Sequence, residues 1–158
     1  MAEKTNNSLQ IQADTLMKNL QETFDKAPHL PSGFREFLVA LAPWAALLFG
    51  IIGVVAGLFT FISSLALVLV GFRGIIALIT GLLTLLMGVF HLKAYPKLSK
   101  HLFDGWKLLY YAELVSILSS VINLVSTSAI VIPVTIIFMV FSAVISFYLL
   151  FEIKSYYK

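Results

Sequence analysis

The chain contains no cysteine, which excludes disulfides, thiol nucleophiles and thiolate metal sites together. Charged residues are also few, 12% of 158 against the roughly 25% usual for soluble domains. They crowd into residues 1–36, a patch from His91 to Lys107, and the last seven positions, leaving long stretches with almost none. Signatures that carry catalysis are missing too: there is no GxxxxGKS/T, GxSxG, HExxH or glycine-rich dinucleotide fingerprint. Ser63-Ser64 and Ser119-Ser120 lack a His and an Asp at comparable depth, so no nucleophilic triad is expected. His29, His91 and His101 do not have the short ligand spacing of a metal site. Neither a metal nor a cofactor is expected, and His91 and His101 read as exposed interfacial residues. The net charge of +3 comes without the basic and aromatic interleaving that binds nucleic acid.

What is abundant is apolar surface. Hydrophobic residues make up 59% of the chain and mean hydropathy is +0.95, more than a soluble core can hide. A bilayer core of about 30 Å needs about 20 apolar residues in helical form, because backbone polar groups must be satisfied within the segment. Four segments meet this requirement, at about residues 43–63, 72–92, 106–125 and 132–152. The chain therefore reads as an all-α integral membrane protein with four transmembrane helices. No apolar run occurs before residue 37, so no secretory signal peptide is expected and the helices themselves direct insertion.

Lys and Arg set the expected orientation. Lys4, Lys18, Lys26 and Arg35 precede the first span, Lys93, Lys97, Lys100 and Lys107 surround the second connection, and Lys154 and Lys158 follow the last. Arg73 alone stands beside an outer connection, so the positive-inside tendency predicts both termini in the cytoplasm. Trp44, Tyr95, Trp106, Tyr156 and Tyr157 fall where an aromatic belt on that side would lie. The first outer connection, within residues 63–74, is the least defined, because Leu65, Leu67 and Val68 could prolong either neighbouring helix. A turn near Ser64 to Gly71 leaves Arg73 at the interface rather than buried.

Ahead of the spans, Leu9, Ala13, Leu16, Leu20 and Phe24 recur at helical spacing, opposite Asp14, Lys18, Glu22 and Asp25. Residues 1–30 are thus expected to form an amphipathic helix and linker. The mixed charge of its polar face suits docking, on a partner or on the protein's own cytoplasmic side, as well as it suits lipid. Residues 31–42 read as an interfacial segment capped by Ser32. Pro43 then opens the 43–158 transmembrane domain, in a first turn where a missing N–H costs least.

The two halves of that domain resemble each other. Residues 90–97 (Phe-His-Leu-Lys-Ala-Tyr-Pro-Lys) align with 151–158 (Phe-Glu-Ile-Lys-Ser-Tyr-Tyr-Lys), and Trp44 aligns with Trp106 at nearly the same offset. This predicts two tandem, parallel helical-hairpin repeats. Their packing faces differ. Ala46, Gly50, Gly53 and Gly57 in the first span and Gly74, Ala77, Gly81 and Gly88 in the second form small-residue stripes, which let helix backbones approach closely. The third span instead aligns Glu113, Ser116, Ser120 and Asn123, and the fourth aligns Thr135, Ser142 and Ser146.

Glu113 is the one clearly intramembrane acid. It is expected to serve either as a proton or cation site continued by Ser116, Ser120 and Asn123, or as a carboxyl satisfied by Tyr110, Lys107 or a serine of a neighbouring helix.

Around residues 105–111 (Gly-Trp-Lys-Leu-Leu-Tyr-Tyr) and 148–158, the chain resembles small uncharacterised four-span bacterial membrane proteins, over about residues 40–158. The resemblance implies a bacterial inner-membrane location and supplies no activity or site residues. The residues themselves favour a non-catalytic scaffold or accessory subunit of a larger membrane assembly. Its partners would be the lipid bilayer and other membrane subunits or further copies, with the N-terminal helix as a docking element. The alternatives are a small oligomeric channel or proton-coupled transporter using Glu113, and a membrane enzyme or lipid-binding protein.

Overall fold

Proline and glycine punctuate an otherwise helical chain. A computed structural model describes the backbone of residues 2–158 and the side chains of all but residues 1–10, 13, 14 and 70. Five helices follow one another: α1 Ala2–Phe24, α2 Ser32–Leu67, α3 Phe72–Leu98, α4 Phe103–Leu124 and α5 Ile132–Glu152. Single 3-10 turns occupy Val68–Val70 and Lys154–Tyr156. The last four helices are each long and apolar enough to cross a membrane. Each packs on its neighbour in sequence, α2 on α3, α3 on α4 and α4 on α5, while α1 lies against α5.

Three expectations about the start of the bundle change. Residues 31–42 are not a separate segment, because α2 continues unbroken for 36 residues, about 54 Å at 1.5 Å per residue. Pro43 lies buried inside it rather than in its first turn; a helix tolerates one missing N–H where packing on both sides holds it in place. Ser32 is the first helical residue and not the cap. Pro31 holds that position with φ −51° and ψ 143°, and no side chain bonds to the free N–H groups.

The α2–α3 contact follows from the glycines. A methyl group added to Gly53 would stand 2.9 Å from the Gly88 Cα, and one added to Gly57 would stand 2.5 Å from the Leu85 backbone nitrogen. Gly50 meets Leu92, Gly81 meets Phe61 and Gly74 meets Leu67 in the same way, while Ala46 is buried and Ala77 half-buried. Hydroxyls in this pair bond within their own helices, Ser64 to the Phe61 carbonyl at 2.7 Å and Thr80 to that of Ala77 at 3.1 Å. Buried positions therefore run the length of both helices, from Val39 to Ser64 and from Gly74 to Leu98. The turn between them is shorter than the sequence suggests: Leu65 to Leu67 stay in α2, and Gly71, at φ 131°, makes the reversal. A residue with a Cβ rarely adopts that conformation.

The second hairpin is held differently. Buried residues of α4 are Gly105, Trp106, Tyr110 and Ala112, and those of α5 are Phe147, Leu150, Phe151 and Glu152, all in the halves near one end of the molecule. There Trp106 is fully buried, with Nε1 donating to the Leu150 carbonyl at 2.7 Å and its ring edge-on to Phe151. The chain end joins the same cluster. Lys158 and the 101–103 turn exchange backbone bonds, Phe103 N to Lys158 O at 2.8 Å and Lys158 N to His101 O at 3.0 Å. His101 adopts φ 54° where α3 closes, with bonds from His101 N to Leu98 O and from Leu102 N to Lys97 O, and its ring stacks on Tyr157.

The charged helix ends other than the start of α3, which carries Arg73, meet at this same end. Lys97 of α3 faces Asp104 of α4 at 3.6 Å, and Arg35 of α2 faces Glu152 of α5 at 3.8 Å. Trp44, aligned with Trp106 in the sequence, is 63% exposed and lies beside Tyr95.

Candidate functional site

Glu113 opens onto a groove of about 250 Å³ to which all four long helices contribute. Its walls are apolar, with Ala42, Ala45 and Phe49 from α2, Leu109 from α4, and Leu149 and Leu150 from α5. Three polar side chains interrupt them: Glu113, His91 of α3 and Ser146 of α5. The Ser146 hydroxyl stands beside the Glu113 carboxyl in this groove. Among the partners expected for this acid, a serine on a neighbouring helix is thus present.

His91 differs from its expectation of exposure. It is half-buried, its ring stands edge-on to Phe49 at 6.4 Å, and Nδ1 lies 2.9 Å from the Met87 carbonyl. A carbonyl only accepts, so Nδ1 carries the proton and Nε2 is the acceptor of the neutral ring.

The polar path imagined beyond Glu113 does not line this groove. Ser120 donates to the Ser116 carbonyl of its own helix at 2.9 Å, and Asn123 is exposed, its backbone carbonyl accepting from Ser126 and Thr127. Thr135 likewise bonds back to Val131, and Ser142 is exposed. Among the described residues, no group of three or more His, Asp or Glu could hold a metal ion.

A second site lies at the charged end, where α1 and the 25–31 linker close on α5. Phe24 stacks on Phe151 at 5.6 Å, Met17 is buried, and Lys154 bonds Gln21 while lying 5.1 Å from the centre of the Trp106 ring. The sequence pattern puts Leu16 on the apolar face of α1. The docked face is instead Met17, Leu20, Gln21 and Phe24, and Leu16 is 42% exposed, because the helix meets α5 along a stripe rotated by one position. The side chains of Leu9, Ala13 and Asp14 lie outside the described residues.

The linker is fastened by one carboxylate. The Glu152 side chain is 3% exposed, with His29 Nδ1 donating to Oε1 at 2.8 Å, the Leu30 N–H donating to Oε2 at 3.3 Å, and Arg35 Nε 3.8 Å from Oε2. Tyr148 donates its hydroxyl to the Pro28 carbonyl beside them. These groups border a cavity of about 460 Å³ that Asp25 and Tyr157 also line. Burial pushes the Tyr157 phenol up to about 12, and its oxygen has no hydrogen-bond partner among the described residues.

Glu152, His29 and Ser146 gave little sign of their roles in the sequence. One signal was present: in the aligned stretches, His91 and Glu152 are equivalent, the single position where each half places a different ionisable residue. Each now stands at one of the two sites. No family model matches the chain, and no curated protein or solved structure is significantly similar to it.

Proposed function

We propose that the chain is an integral membrane protein of four spans, with both termini in the cytoplasm of a bacterial cell, serving as a non-catalytic scaffold or accessory subunit of a larger membrane assembly. Its membrane setting is supported by the apolar residues that the bundle leaves outward, such as Ile52, Val55 and Phe59 on α2 and Ile137, Phe138 and Phe141 on α5. Soluble monomers rarely expose contiguous apolar surface on this scale. The orientation is supported by the positions of Lys and Arg, all of which except Arg73 belong to the end where α1 docks. Two parallel hairpin repeats fit the way α2–α3 and α4–α5 each start and finish at that end.

The observation that carries the subunit reading is the unfinished packing of the second hairpin. Past Ala112 and before Phe147, α4 and α5 contain no buried residue, and this half exposes Asn123 and Ser142. Lipid offers no hydrogen bonds and no hydrophobic drive, so such a face gains most from another helix. The N-terminal helix supplies less to this reading than its sequence suggests, since Met17, Leu20 and Phe24 already pack within the chain.

The absence of cysteine makes a direct test simple. Single substitutions Asn123→Cys and Ser142→Cys, oxidised in native membranes, are expected to give disulfide-linked dimers or, with a bifunctional thiol–amine reagent, adducts to a second protein. Val55→Cys on the outward face of α2 serves as the control and stays monomeric. If all three behave alike, the reading fails. A channel or transporter is the second reading, favoured by the groove at Glu113; Glu113-dependent flux in liposomes is its requirement.

A further inference from the structure

The groove at Glu113 has a one-sided chemistry. The Ser146 hydroxyl lies beside the Glu113 carboxyl, an acceptor it can donate to, and His91 directs its Nδ1 proton to the Met87 carbonyl. What remains for an occupant is a carboxylate oxygen and an imidazole nitrogen, both acceptors, set among hydrocarbon walls. An occupant must therefore bring N–H or O–H donors, positive charge to balance the acid, and an apolar body. Anions are repelled and find no donor. Two protein ligands are too few for a tightly held divalent metal. The volume of about 250 Å³ lies below the ~300–1,000 Å³ of drug-sized sites, so the body is small.

We propose that this groove binds a small lipophilic primary or secondary ammonium ion, its N–H groups directed to Glu113 and His91 and its hydrocarbon part lying between α2 and α5. A quaternary ammonium carries the charge without the donors and fits less well. The walls explain why a hydrocarbon body is needed: Ala42 and Ala45 leave the space, and Phe49 and Leu149 border it. The inference goes beyond both functional readings, since occupancy of the groove requires neither a partner subunit nor flux.

The test uses the full chain in detergent micelles at neutral pH, with radiolabelled n-hexylamine in equilibrium dialysis and empty micelles as the blank. The expected result is saturable uptake at one amine per chain, with hexyltrimethylammonium and 1-hexanol showing only the partitioning of the blank. Glu113→Gln keeps the shape and removes the charge, and weakens hexylamine about ten- to hundredfold, the range of a lost charge-assisted hydrogen bond. Ala45→Phe fills the groove with Glu113 intact and abolishes saturable uptake; it serves as the second variant should Glu113→Gln disturb folding.

Any of the following outcomes overturns the proposal. One is hexanol binding as tightly as the amine. Another is no saturable uptake by the native chain, or uptake that both substitutions leave unchanged. The last is carbodiimide coupling of Glu113 to a lysine of a second protein without amine uptake, which assigns the groove to a partner helix with a basic side chain.

Discussion

Glu152 holds three parts of the chain at once: the linker through His29 and Leu30, the start of α2 through Arg35, and α5, to which it belongs. Removing its charge leaves the buried Arg35 Nε without an anion nearby. Glu152→Gln is expected to cost about 1–3 kcal/mol, the range for a buried group deprived of its partner. The loss falls on the linker and α1 more than on the bundle, so trypsin should cleave after Lys26 roughly tenfold faster or more, with little change in the melting of the four long helices. Equal cleavage rates would show that the linker is held by the aromatic contacts alone. Tyr157 makes the opposite case. Its oxygen is buried without a partner among the described residues, so Tyr157→Phe should be neutral or stabilising by about 1 kcal/mol. The pH dependence follows from the raised phenol: its contribution is complete below the unfolded value of about 10 and is lost as pH rises toward about 12. Thermal melts between those values should show a steeper alkaline loss for the native chain than for Tyr157→Phe. At this scale the sequence was only partly legible. Glu113 announced itself as an acid in an apolar run, but Ser146, His91 and Glu152 acquired their roles from helices distant in sequence, and no local spacing encodes such meetings.

The helices themselves were far easier to read, because hydrocarbon length and composition act locally. Four apolar segments became four long helices, and the small-residue stripes Gly50, Gly53, Gly57 and Gly74, Gly81, Gly88 stand where α2 and α3 approach. What the sequence hid at this scale was continuity. Pro43 reads as a beginning, yet it sits within α2, since the flanking residues keep helical bonding on both sides. Ser32 reads as a cap, yet Pro31 comes first and fixes the backbone there. The glycines allow a paired prediction. Gly57→Ala puts a methyl group 2.5 Å from the Leu85 backbone, so the α2–α3 contact must open, at a cost of about 1–3 kcal/mol. Gly33 has nothing within 4 Å of its would-be methyl, so Gly33→Ala should leave thermal stability unchanged or slightly higher. Melting curves of the two variants in the same detergent check both; a Gly57→Ala protein as stable as the native chain would mean that the two helices are not zipped at the glycines.

For the molecule as a whole, the asymmetry between hairpins organises everything else. The first is closed along its length by glycine contacts and needs no help. The second is anchored only where Trp106, Phe147 and Phe151 cluster and where α1 and the chain end gather, leaving its other half without buried residues. The sequence showed that the two halves differ in their packing faces, glycine on one side and Ser, Asn and Thr on the other. It could not show that the polar side remains open, because burial depends on contacts between helices distant in sequence. An open, hydroxyl-bearing face within the apolar part of four helices long enough to cross a membrane is the reason to expect assembly. Native mass spectrometry of the chain extracted gently from its own membrane measures this most directly, since it reports copy number and companions together. The expected result is a complex containing more than one polypeptide, reduced to the single chain when Asn123 and Ser142 are both replaced by leucine. A native chain that emerges as a lone polypeptide, identical to that double variant, would contradict it.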